Sequence, residues 1–235
     1  MYINDKPQKM KVNVFLLACF ILLISCKQTP KPLKNNQELE QKILKVACIG
    51  DQIMLGEQID SIDRYPAQLQ WLLGDKYQVK TYALNNATVL INGTQPFLSD
   101  TLYKQAIDFQ PDIVVINLGI NDTKTKDWLT YGQEFLEDYM NLVETFMTLH
   151  SRPKVFICRP TKPFSNVDEI NDSTLQAGVL PDIDSVSAWR HLRQIDLYNI
   201  TSYRSDMFIN YVYPDRTGCR ILAETIADAI ISVKN

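Results

Sequence analysis

Histidine is scarce in this chain: there are two in 235 residues. His150 and His191 are the whole supply of imidazole, so any chemistry that needs a histidine base must use one of them. No block of like charge and no basic stripe is present, and the formal net charge is −3. That excludes the electrostatic footprint of a nucleic-acid binder. No His/Cys cluster has the spacing of zinc ligands, and neither a metal nor a cofactor is expected. Neither a repeat of solenoid period nor a low-complexity tract is visible. The apolar run from Val12 to Ser25 is too short to cross a bilayer as a helix.

What is present is a composition of 46% apolar and 22% charged residues. It suits one globular domain with a full core plus extra terminal sequence. Lys9 and Lys11 precede the apolar run, the pattern of an export signal over residues 1–25. The run ends in Leu23-Ile24-Ser25-Cys26, which resembles the bacterial lipobox; Leu16-Leu17-Ala18-Cys19 is a weaker second match. The first match predicts lipidation at Cys26 and a membrane-anchored protein of the bacterial cell envelope. Residues 26–43, polar and carrying Pro30 and Pro32, read as a tether. Lys27, Lys31 and Lys34 make the tether basic, and the expected location is periplasm-facing. Cys48, Cys158 and Cys219 fall in the remaining domain, residues 44–235. They are odd in number, and the expectation is of buried small hydrophobes rather than a disulfide.

Within that domain apolar runs alternate with amphipathic ones. Strands are predicted at Leu44–Ile49, Tyr77–Leu84, Ile113–Leu118, Lys154–Cys158 and Leu192–Tyr198. Helices are predicted from Pro66 to Gly74, Leu102 to Phe109, Trp128 to Leu149, Val179 to Trp189 and Thr217 to Val233. The alternation predicts a five-stranded parallel sheet in a three-layer α/β/α sandwich. Ligands of such sheets bind beyond the carboxyl ends of the strands. Asp51, Gln52, Asn86, Asn121, Arg159, Asn210 and Tyr213 all follow strands and should gather on that edge. His150 and His191 precede strands and should lie away from it.

Four ordered segments carry a resemblance. Gly50-Asp51-Gln52 resembles the Gly-Asp-Ser opening of the SGNH/GDSL hydrolases. Tyr82 to Thr88 resembles their second block, and Leu118-Gly119-Ile120-Asn121-Asp122 matches their Gly-x-Asn-Asp. Asn210-Tyr211-Val212-Tyr213-Pro214 sits where the family carries Asp-x-x-His. Tyr65 to Leu69 and Ile170-Asn171-Asp172 are similar to a sialate O-acetylesterase-like bacterial subgroup. The resemblance implies the flavodoxin-like SGNH fold from about Leu44 onward and an ester-hydrolase ancestry.

It also implies that Gln52, Asn210 and Tyr213 replace the serine, the acid and the histidine of the triad. Asn86 replaces the glycine whose backbone N–H helps to hold the oxyanion, leaving Asn121 as the retained oxyanion-type residue. A carboxamide is a poor nucleophile, and a phenol near its reference pKa of about 10 does not shuttle protons at neutral pH. The expected function is therefore binding of a glycan or an acylated small molecule without hydrolysis. Arg159 is expected to supply a clamp for a carboxylate. Two alternatives stand beside this: an ester hydrolase with a site rewired through Asp51, Asp122 or Asp215 with Tyr213, and a structural partner in an envelope complex. A third state of the site, in which the amides only bond one another, also stays open.

Overall fold

The computed structural model describes residues 42–56 and 58–232. The export signal, Cys26, most of the tether and Val233 lie outside the described residues. Among those described, no helix is long and apolar enough to cross a membrane.

The chain runs β1 (Leu44–Gly50), α1 (Gln52–Leu55), α2 (Tyr65–Leu73), β2 (Tyr77–Ala83), α3 (Thr101–Asp108) and β3 (Ile113–Asn117). It continues through α4 (Thr125–Tyr131), α5 (Phe135–Met147), β4 (Lys154–Arg159), α6 (Leu180–Arg190), β5 (Arg193–Asp196) and α7 (Leu197–Thr201). A two-strand ribbon, β6 (Phe208–Ile209) with β7 (Tyr213–Pro214), leads into α8 (Arg216–Ile231). The five main strands form one parallel sheet in the order β2-β1-β3-β4-β5. This is the doubly wound arrangement expected from the alternation.

Strand periodicity distributes the core into two layers. Ala47, Ile49, Val114 and Ile116 face Phe135, Tyr139, Leu142 and Val143 of α5 and Ile183 of α6. Their neighbours Val46, Cys48, Val115 and Cys158 face Tyr65 and Leu69 of α2 and Leu222 and Ile226 of α8. Because consecutive residues of β1 and β3 go to opposite layers, Val46 to Ile49 and Ile113 to Ile116 are all apolar, as a sheet covered on both faces requires. Cys48, Cys158 and Cys219 are unpaired and buried, and burial pushes the Cys48 thiol up to about 12. They serve the core as small apolar groups.

Two elements differ from expectation. The stretch from Trp128 to Leu149 is not one helix: α4 ends at Tyr131, a 3-10 turn spans Gly132–Glu134, and α5 begins at Phe135. The Trp128 ring packs at this break. A Cβ on Gly132 would stand 2.8 Å from Trp128 Cδ2, and one on Gly178 would stand 2.0 Å from its Cζ2. The indole therefore lies against two glycines and pins α4 to the π-helical turn Leu175–Val179. The fifth strand is also shorter than Leu192–Tyr198. It stops at Asp196, whose side chain accepts from Asn199 N and caps α7, so a helix start takes over the C-terminal half of the apolar run.

Candidate functional site

β2, β1 and β3 are neighbours, so the turns that follow them meet at one edge. Gly50 ends β1 where a Cβ would stand 2.6 Å from Met54 Cε and 3.2 Å from the Asn117 carbonyl. Asp51 then caps α1, accepting from Ile53 N at 2.9 Å. Gln52 is thereby fixed as the first helical residue, and it is buried. After β2 the chain turns at Asn86, which has φ of 58°. Asparagine tolerates that left-handed conformation better than other non-glycine residues. After β3, Gly119 at φ of 117° delivers Asn121 to a fully buried position.

The three side chains join in one network. Gln52 Nε2 donates to Asn121 Oδ1 at 2.7 Å, and Asn121 Nδ2 donates back to Gln52 Oε1 at 2.9 Å. The same Oε1 accepts from the Asn86 backbone N–H at 3.0 Å. Asn121 Nδ2 also donates to the Ala87 carbonyl at 3.0 Å. One amide oxygen thus receives both the asparagine side-chain donor and the backbone donor of the second block. This corrects the expectation for position 86. The glycine-to-asparagine change leaves the backbone N–H in place and aimed inward, because the left-handed turn survives it. The donor is present and occupied.

Two buried carboxylates hold the turns. Burial raises Asp51 to about 7, and Asp122 likewise to about 7, against the opposing pull of their backbone N–H donors. Asp122 accepts from Val89 N at 3.1 Å and Leu90 N at 2.8 Å. Asp138 accepts from Ile91 N at 2.8 Å, and Asp127 accepts from Thr94 N at 3.0 Å. In the loop of residues 89–94, four backbone donors are therefore satisfied by carboxylates from distant elements, while Gly93 N donates to the Leu90 carbonyl at 3.1 Å. Asp215 caps α8 by accepting from Gly218 N at 2.8 Å.

The raised Asp51 value has a definite sign. From about pH 4 to about 7 the folded state holds the proton more tightly than the unfolded state, so Asp51 subtracts stability as pH rises through that window. Asp51→Asn keeps an N-cap acceptor and removes the charge. The variant is expected to gain stability relative to the parent as pH rises from about 4 to about 7, by up to about 1.4 kcal/mol per pH unit within that window. Urea titrations at both ends check this; a constant difference between the two proteins sinks it.

Asn210 and Tyr213 reach the same edge from the opposite side. Asn210 and Tyr211 have φ of 51° and 63° and form the tight turn that closes the β6–β7 ribbon, with Val212 N donating to the Ile209 carbonyl at 3.2 Å. The Tyr213 phenol donates to Asp168. A cavity of about 410 Å³ lies between, lined by Gln52, Asn86, Asn210 and Tyr213 together with Gln58 and Asp168. Ile53, Ile59, Val167 and Ile209 give it apolar wall.

Arg159 departs from expectation. It is not among the residues lining this cavity, and its guanidinium is held by Asp184 at 3.4 Å and Asp196 at 3.8 Å. The carboxylates of α6 and the β5 end draw it sideways along the sheet. His150 follows α5, and His191 caps α6 at φ of 51°. Both precede strands, and neither lines the cavity. Gln58 and Asp168 were not singled out from sequence; each lies in a connecting segment with no periodicity to mark it. Among the described residues no group of three His, Cys, Asp or Glu side chains is placed to hold a metal ion.

The sequence model of the GDSL-like lipase/acylhydrolase family matches residues 48–221. An acetylxylan esterase of Xylanibacter ruminicola is 32% identical over 218 residues, which covers 84% of this chain. The chain spans about half (45%) of that relative's length. Among solved structures, a carbohydrate acetylesterase from Sinorhizobium meliloti superposes with a TM-score of 0.65 at 16% identity, covering 81% of this chain and 99% of the other. An acetyl xylan esterase superposes with a TM-score of 0.63 at 18% identity, covering 80% and 100%. Identities this low carry the fold, which is the same three-layer sandwich with its five-stranded parallel sheet. With the family match spanning most of the domain, the chain belongs to the GDSL-like lipase/acylhydrolase family, the SGNH hydrolases.

Proposed function

We propose that this is a non-hydrolytic member of the family, which binds an acylated glycan in the cavity between Gln52 and Tyr213. The observation that carries the reading is the seat of Gln52. Its amide oxygen takes the two donors, Asn86 N–H and Asn121 Nδ2, that an ester carbonyl would need during acyl transfer. With those donors engaged and no imidazole lining the cavity, neither the attack nor its stabilisation has a group to perform it. The cavity beside it is lined by carboxamides, a tyrosine ring and aliphatic side chains. That mixture suits the hydroxyls and apolar face of a sugar and the methyl of an acetyl group. The relative that acts on acetylated xylan suggests the ligand class. The reading includes a lipid anchor at Cys26 and a periplasm-facing position in the envelope, both supported by the lipobox-like segment.

Purified protein carrying residues 27–235 is expected to leave aryl acetates and O-acetylated xylan unhydrolysed above a buffer blank, while binding acetylated xylo-oligosaccharides by calorimetry. Turnover that disappears on Gln52→Ala would refute the reading.

A second reading, an active carbohydrate esterase with a rewired site, is favoured by the 32% identity to an acetylxylan esterase. It needs a carboxylate base, and Asp51, Asp122 and Asp215 each already accept a backbone N–H. A pH–rate profile with single Asn changes at the three positions separates the readings.

A further inference from the structure

The cavity beside Gln52 does not end at Asn86. On the far side lies a second chamber of about 390 Å³, and Asn86 and Asp168 line both. Each chamber alone falls within the size range of ordinary ligand sites. Their walls differ in kind. The first has the aliphatic side chains already named; the second has none, its lining being Asn86, Thr94, Lys124, Lys126 and three acidic residues.

The second chamber is lined by two ammonium groups and three carboxylates. Asp127 is spent on Thr94, accepting its backbone N–H at 3.0 Å and its hydroxyl at 2.9 Å. Lys124 and Lys126 stand against Asp127, Asp168 and Glu169, so the lining disfavours an anion while offering both signs of charge to a neutral ligand. Lys124 Nζ donates to Asn86 Oδ1 at 2.8 Å, fixing the exposed amide on the ridge between the chambers. The Asn86 Nδ2 group donates to no protein acceptor among the described residues. An alkyl chain entering this chamber would meet only lysine stems and a threonine methyl and would desolvate charged groups. A neutral hydroxyl-rich ring can exchange bonds with an ammonium, a carboxylate and an amide at once.

We propose that the second chamber is a sugar subsite, so that the ligand is an oligosaccharide and not a single acylated sugar or a fatty-acyl ester. The acyl-bearing ring occupies the first chamber, and the next ring crosses the Asn86–Asp168 ridge to lie among Lys124, Lys126 and Glu169. This deepens the glycan reading above and rests on it. Nothing in it requires hydrolysis.

Calorimetric titration with O-acetylated xylose and with O-acetylated xylotetraose tests it. Affinity is expected to rise about tenfold or more from the first probe to the second. The Lys126→Ala/Glu169→Gln double variant, whose parent side chains are exposed, is expected to lose that gain while binding the monosaccharide as before. Equal affinity for both probes, or a gain that survives the double change, overturns the second subsite and leaves the glycan reading standing. Failure of both probes to bind overturns both. Competition by a decanoyl aryl ester against the tetrasaccharide, with no effect of chain length in the sugar series, assigns the cleft to acyl chains and overturns the subsite as well.

Discussion

Aryl-esterase activity is expected in the triple variant Gln52→Ser, Asn210→Asp, Tyr213→His and not in the parent. The expectation rests on distances already in place. The three positions line one cavity, and the Asn86 N–H and Asn121 Nδ2 donors converge on a single oxygen at 3.0 and 2.9 Å. Shortening Gln52 to serine withdraws that oxygen and leaves both donors facing the space where a carbonyl would sit. No change at Asn86 is required, because its backbone already donates. Adding Asn121→Ala to the triple variant is expected to lower the recovered kcat by about 10²–10³-fold, the usual cost of one oxyanion donor. Gln52→Ser alone should stay silent, since it restores a hydroxyl without a base. A folded triple variant no faster than Gln52→Ala in an aryl-acetate assay means that the ribbon carrying positions 210 and 213 is set wrongly for proton transfer.

The largest loss of stability is expected from Asn121→Ala. Asn121 is fully buried and completes the reciprocal amide pair with Gln52 while also donating to the Ala87 carbonyl. Truncation strands the Gln52 Nε2 donor and the Ala87 acceptor in a site nearly closed to water, and each such group costs about 1–3 kcal/mol. We expect a total of about 2–4 kcal/mol, which for a domain of this size lowers Tm by about 5–15 °C. The network form predicts strong non-additivity. Gln52→Met destabilises less on an Asn121→Leu background than on the parent, because the partner it would strand is already gone. Denaturant titrations of the four proteins in this cycle measure the coupling. Additive losses, or an Asn121→Ala cost below about 0.5 kcal/mol, indicate that water already satisfies these groups.

Sheet and layers were legible because their signals are periodic. Val46 to Ile49 and Ile113 to Ile116 are apolar at every position, as a strand covered on both faces should be. The side of the sheet on which Gln52, Asn86 and Asn121 meet followed from their places after successive parallel strands. What did not follow was how they meet. The Asn86 backbone donor depends on a left-handed turn that asparagine permits but does not announce. The β6–β7 ribbon has two-residue strands and a turn without glycine, too short for alternation and lacking the usual hairpin dipeptides. Arg159 was misread because Asp184 and Asp196 come from separate elements, and only the assembled sheet edge brings them near it. The break at Gly132 was invisible for a similar reason: the ring packed on Gly132 also rests on Gly178, far along the chain.

The left-handed turns at positions 86 and 210 have a consequence for reading mutational tolerance in this protein. At both sites the main chain itself admits glycine, asparagine and aspartate and penalises nearly everything else, whatever the cleft is used for. A saturation library selected only for soluble expression should therefore already be narrow there. Gln52 opens a helix, and Tyr213 lies in an extended ribbon, so their conformations exclude few residue types. Narrow acceptance at those two sites, appearing only when ligand capture is the selection, would come from use and not from geometry.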